Sequence, residues 1–178
     1  MTCRSALLQW LAMVALVASA SCGYSLAGRG SFLPPHIRTI GVPMFTNLTS
    51  VFDVERRVTE RVRSELIGRG KFKIEPDATG VDAVLSGEIS AISIVLSGYN
   101  EQRQGTRYTL VLTAKVEFRD VKENKVIWSN PAMQFREEYP VSGTVTDVNA
   151  FFGQDVNALD RLAAEFARTL VSAILEAF

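Results

Sequence analysis

Tyr108-Thr109-Leu110-Val111-Leu112-Thr113-Ala114-Lys115-Val116-Glu117-Phe118 decides the fold. Tyr108, Leu110, Leu112, Ala114, Val116 and Phe118 alternate with Thr109, Val111, Thr113, Lys115 and Glu117. Successive side chains on a strand point to opposite faces, so the pattern predicts a strand with one buried face and one that meets solvent or a partner. Downstream, Asp120 to Asn124 is a polar reversal. Val126 to Trp128 and Met133 to Tyr139 then form a return strand interrupted at Pro131, which makes a hairpin. Upstream, Val84 to Leu96 is a second long strand. Its apolar positions begin at Leu85, Ile89 and Ala91 and then occupy Ile92, Ile94, Val95 and Leu96, filling both faces. Either a bulge shifts the register or the second face is also covered.

Two helices flank these strands. Val54, Val58, Val62 and Leu66 recur every four residues, with Arg56, Arg57, Glu60, Arg61 and Arg63 around them. That is an amphipathic helix. Ser50-Val51-Phe52-Asp53 supplies an S-x-x-D capping pattern at its start, and Gly68 or Gly70 a left-handed close at its end. Its arginines read as a solvated face or as a binding face. The second helix, roughly Asp155 to Ala177, gathers Val156, Leu159, Leu162, Ala163, Phe166, Leu170, Ile174 and Leu175 on one side. A short strand over Ile37 to Phe45, at an edge or ended by Pro43, and another at Phe72 to Ile74 complete the set. Two amphipathic helices on one face of a mixed, mainly antiparallel sheet of four to five strands give a two-layer α/β sandwich, in the order β-α-β-β-β-β-α.

Ahead of this domain, Arg4, an apolar run from Ala6 to Ala18 and Ser19-Ala20-Ser21 have the parts of a secretory signal peptide over residues 1–21. The run is shorter than the roughly 20 apolar residues of a membrane-spanning helix. Cys22 directly after the small residues resembles the lipobox of bacterial lipoproteins, with Ser19 standing where that pattern usually has an aliphatic residue. Ordinary cleavage nearby would instead leave a free thiol, a liability in an oxidising compartment. Acylation of Cys22 and a membrane anchor are therefore expected. Residues 22–36, rich in Gly, Ser and Pro after the cysteine, read as a linker, and 37–178 as a single domain.

Composition excludes several functions. Lys plus Arg and Asp plus Glu are 19 each, without the clustered basic surplus that nucleic acid requires. No nucleophile motif, zinc motif or phosphate loop occurs, and the single His36 lies beside Pro34 and Pro35 in the linker. Glu137-Glu138 point to opposite faces of a strand. No enzyme, cofactor or metal is expected. Asn47-Leu48-Thr49, although a glycosylation sequon, reads as turn chemistry.

Cys22-Gly23-Tyr24, Leu33-Pro34-Pro35-His36-Ile37, Ile40-Gly41-Val42-Pro43 with Phe45 and Asn47, and the Tyr108 to Phe118 strand stand in an order and spacing that together resemble the LptE family of lipopolysaccharide-assembly lipoproteins. The resemblance implies a lipid-anchored, periplasm-facing protein at the outer membrane. It also implies an outer-membrane β-barrel partner like LptD and assistance in lipopolysaccharide delivery. Gly23 after the cysteine agrees with outer-membrane sorting as understood in enterobacteria. Arg103 and Arg107, near Tyr99 and Tyr108 in the loop between the two long strands, form the candidate lipopolysaccharide contact, because guanidinium groups pair with phosphate. The Ile40-Gly41-Val42-Pro43 motif also resembles envelope lipoproteins that activate peptidoglycan synthases or form secretion pores.

Overall fold

The computed structural model describes residues 33–69, 71–101, 105–140, 145, 147–154 and 157–177. The chain divides into two compact units, 1–31 and 32–178, and all described residues belong to the second. The signal peptide, Cys22, Gly70, Arg103 and Val156 lie outside the described residues. Within them run β1 (Thr39–Gly41), β2 (Thr46–Asn47), α1 (Val54–Gly68), β3 (Lys73–Glu75), β4 (Ala83–Tyr99), β5 (Gly105–Asp120), β6 (Lys125–Pro140), α2 (Val148–Gln154) and α3 (Ala158–Glu176). The expected sandwich is present, with β2 and α2 added to the expected order.

One six-stranded sheet has the order β3-β1-β4-β5-β6, with β2 following β1 along β4. β1 pairs parallel with β3 and β4, and β2 parallel with β4. A parallel neighbour requires a crossover, and α1 supplies it between β1 and β3. The three long strands are antiparallel, with Leu85 opposite Phe118 and Leu110 opposite Glu137. All six apolar residues of the alternating stripe, Tyr108 to Phe118, are buried. They share one core with Val54, Val58, Val62 and Leu66 of α1 and Leu162, Phe166 and Leu170 of α3. The helices therefore cover one face of the sheet. Arg57 of α1 meets Asp160 of α3 at 2.6 Å, and Arg69, after α1, meets Ser172 at 3.0 Å, so the two helices run parallel. Among the described residues no helix is long and apolar enough to cross a membrane.

The double-faced apolar pattern of β4 is resolved by a bulge. Pairing with β5 shifts between Ile89 and Ala91, so Ala83, Leu85 and Ile89 face the core before the shift and Ile92, Ile94 and Leu96 pack against it afterwards. Gly41 of the Ile-Gly-Val-Pro motif lies under the loop that leads into β4. A Cβ there would sit 2.3 Å from the Asp77 carbonyl oxygen, so only glycine admits that crossing.

Several expectations are corrected. Ser50 caps nothing: Asp53 holds the N-cap position at φ 67, makes no side-chain cap bond, and turns its carboxylate to Arg56 and Arg57 instead. α1 ends at Gly68, near the expected place, with Arg69 at the C-cap in the right-handed region and its N–H donating to Glu65 and Leu66 carbonyls; the left-handed close at Gly70 lies outside the described residues. β1 is not an edge, being flanked by β3 and β4; it ends before Pro43. β6 is the expected return strand, but it runs through Pro131 without interruption. Pairing with β5 jumps from Ala114–Met133 to Val116–Asn130, and the bulge at Pro131 and Ala132 accommodates a residue without an N–H on an outer strand. The last helix stands as α3, Ala158–Glu176, inside the expected Asp155 to Ala177, and the short α2, Val148–Gln154, precedes it unexpected. Finally, Leu33 to His36 are not free linker: Leu33 is only 4% exposed in the core, and the Ile37 N–H donates to the Pro34 carbonyl at 2.9 Å.

Candidate functional site

Two of the four expected contact residues, Tyr99 and Arg107, stand on the strands either side of the β4–β5 connection. Tyr99, the last residue of β4, is 67% exposed. Arg107 is paired across from Gly98. A Cβ on Gly98 would lie 3.2 Å from the Arg107 Nε, so the arginine side chain runs over that glycine toward solvent. Its guanidinium is 3.9 Å from the Glu138 carboxylate, and both side chains are largely exposed. An exposed pair of this length contributes little to stability, so the guanidinium can exchange Glu138 for an anionic ligand.

Tyr108 is a correction. It is 4% exposed, and its hydroxyl accepts the Val145 N–H at 2.9 Å. As a member of the alternating buried stripe it points into the core and cannot line a surface contact. Its work is to hold the segment before α2 against the sheet. There Tyr139 and Phe151 meet edge to face at 5.6 Å, and the Arg161 guanidinium lies 5.2 Å from the Tyr139 ring centre.

A second cluster, at the opposite end of β5, had no counterpart in the sequence reading. The His36 Nε2 and the Asp120 Oδ2 are 2.6 Å apart, and the Asp120 Oδ1 accepts the Glu123 N–H at 3.0 Å. Asp120 is wholly buried. Burial pushes its carboxyl up, but the Glu123 amide and the His36 ring outweigh that and hold it below the ordinary value. Nearby, Asp82 accepts the N–H groups of Arg38 and Thr39 at 2.9 and 2.8 Å, and these bonds lower its carboxyl against burial. His36, Asp120 and Glu123 place three possible cation donors within 4.8 Å of one another. Asp120 joins the His36 ring to the turn amides, so the cluster clamps the lead-in segment to the β5–β6 turn. No spacing rule links His36 to a carboxylate 84 residues away.

Asn47 and Thr49 behave as turn residues, as expected. Thr49 donates its N–H and its hydroxyl to the Asn47 Oδ1, each at 2.8 Å, while the Asn47 amide donates to the Val51 carbonyl and Glu55 at 2.9 Å.

The family model described as LptE, lipopolysaccharide-assembly, matches residues 37–174. The chain belongs to the LptE family. No curated protein matches it in sequence. Among solved structures it is similar to the Xanthomonas campestris protein XCC0632, at 12% identity and a TM-score of 0.50, covering 79% of this chain and 87% of that one. It is also similar to CT253 from Chlamydia trachomatis, at 10% identity and 0.50, covering 78% and 95%. Rare lipoprotein B from Shewanella oneidensis aligns at 13% identity and 0.49, over 79% and 96%. At these identities the likeness is one of fold alone. The LptE match spans every described strand, α1, and α3 as far as Ile174, so the β4–β5 loop lies within it and His36 directly precedes it.

Proposed function

We propose that this LptE-family chain is a non-enzymatic, lipid-anchored lipoprotein of the outer membrane. In this reading it faces the periplasm, assists assembly of a large β-barrel like LptD, and promotes lipopolysaccharide delivery through it. The observation that carries the reading is the family match over residues 37–174. Cys22 holds the anchor. Arg103, Arg107 and Tyr99 at the β4–β5 loop meet the lipopolysaccharide, the guanidiniums on phosphate and the ring on sugar or acyl surface. The exposed Tyr99 and the weakly held Arg107 support that assignment.

Affinity purification of the tagged full-length chain from detergent-solubilised envelopes tests it. A large outer-membrane β-barrel is expected in stoichiometric amount; a peptidoglycan synthase, or no barrel at all, would overturn the reading. The contact is tested separately by Arg103→Glu with Arg107→Glu. Charge-assisted hydrogen bonds contribute about 1.5–3 kcal/mol each, so lipopolysaccharide affinity should fall at least about tenfold with the fold intact. Unchanged binding would remove this loop as the contact.

A further inference from the structure

Among the described residues, Asp120 is the one charged side chain wholly buried in the fold. No Lys or Arg among them pairs with it; its carboxylate meets the His36 ring and the turn amides. A buried carboxylate is normally matched by a full charge or by a metal ion, and His36 carries a charge only when protonated. Two further carboxylates add to the negative excess. Glu123 is exposed, and no described residue pairs with its side chain. Asp82 is held low by the Arg38 and Thr39 N–H groups and, more weakly, by His36, which places it beside the same ring.

We propose that His36, Asp120 and Glu123 hold a divalent ion of the zinc class, with water in the remaining position, and that the ion fastens the lead-in segment to the β5–β6 turn. The ligand atoms lie within 4.8 Å of one another. Zinc takes imidazole nitrogen and carboxylate oxygen at about 2.0–2.2 Å, so two of its ligand atoms stand about 3.3 Å apart. The His36–Asp120 pair, now at 2.6 Å, opens by less than about 1 Å to admit the ion, and the exposed Glu123 side chain closes on it. A neutral ring keeps its proton by moving it to Nδ1, which frees Nε2 as a ligand. The mixed nitrogen and oxygen set suits zinc, whereas calcium and magnesium take oxygens. Asp120 also has the support that ligating carboxylates normally show: its Oδ1 accepts the Glu123 N–H at 3.0 Å, which leaves Oδ2 turned to the ring. No motif announces the site, because His36 stands 84 residues before Asp120. The inference is independent of the lipopolysaccharide reading.

The full chain, purified in detergent with its affinity tag removed and stripped with a chelator, tests it by thermal unfolding with and without zinc chloride. Zinc should raise the unfolding midpoint by about 5 °C once in large excess over its dissociation constant. Glu123→Gln, a change at an exposed side chain, should keep the zinc-free midpoint and lose most of that shift, and His36→Gln should lose it as well. Magnesium chloride should give no shift. Cobalt(II) in place of zinc reports the ligand atoms: weak visible bands without thiolate charge transfer are expected. No zinc shift in the parent chain would overturn the proposal. An equal shift in the parent and Glu123→Gln would show an adventitious ion only, and would overturn it too. Intense thiolate bands would place the ion on Cys3 or Cys22, and an equal response to magnesium would make the site an oxygen site; either result overturns the assignment.

Discussion

At Asp120 a wholly buried carboxylate depends on one imidazole and on the turn amides of Glu123 and Lys122. Removing the imidazole with His36→Ala strands that oxygen, and an unsatisfied buried acceptor costs about 1–3 kcal/mol. Urea unfolding should show a loss of that size, with the midpoint moving and the slope unchanged. A variant as stable as the parent would mean that water replaces the ring. The pH dependence has a definite sign. Asp120 and Asp82 are both held below their ordinary value of 3.8, so their contribution is fully present above that value and is lost as pH falls through the lower folded values. Asp82→Asn should therefore flatten the acid limb of a melting-temperature profile taken from about pH 5 to about pH 2. An unchanged limb would show that the Arg38 and Thr39 amides are satisfied without the charge.

Between elements, apolar packing outweighs the ion pairs. The Arg57–Asp160 bridge joins α1 to α3 at 2.6 Å, but both side chains are about a third exposed, and such pairs contribute about 0.2–1 kcal/mol. Leu66, on the same helix, is buried between the sheet and α3. Leu66→Ala should cost about 2–5 kcal/mol and Arg57→Ala at most about 1, read by denaturant unfolding; comparable losses would mean that the bridge fixes the helix pairing. The same weighting explains what could be read in advance. Tyr108 to Phe118 and the Val54 stripe were legible because burial on one face imposes a period, and that period was enough to give the sandwich. Ser50 misled as a cap because the helix begins only at Val54, after Asp53, whose carboxylate is drawn to the arginines three and four residues on. Pro131 looked like a break because a bulge on an outer strand has no sequence signature beyond the proline itself. α2 is two turns long, too short for periodicity to show. At the candidate site, Tyr99 ends β4 and Arg107 stands in β5 rather than in the loop as read, because the long strands run further than their apolar pattern; Tyr108 belonged to the buried stripe, and the stripe was the stronger signal. The His36 clamp joins residues that only the folded sheet brings together.

For the molecule as a whole, whether folding depends on the proposed anchor at Cys22 can be measured. The described core, Leu33 to Ile174, is expected to fold without needing Cys22. The proposed attachment needs it. One acyl chain of moderate length binds a bilayer only marginally, while two or more, at about 0.8 kcal/mol per buried methylene, hold a protein there stably. Cys22→Ser should therefore abolish labelling by a radiolabelled fatty acid, leave an unprocessed precursor, and take the protein out of the outer-membrane fraction. The domain should keep its unfolding midpoint, because the core is untouched. Normal outer-membrane attachment of the serine variant would remove the lipobox reading. Loss of attachment together with a lowered midpoint would show instead that the anchor segment packs on the domain, and that attachment and folding are one event.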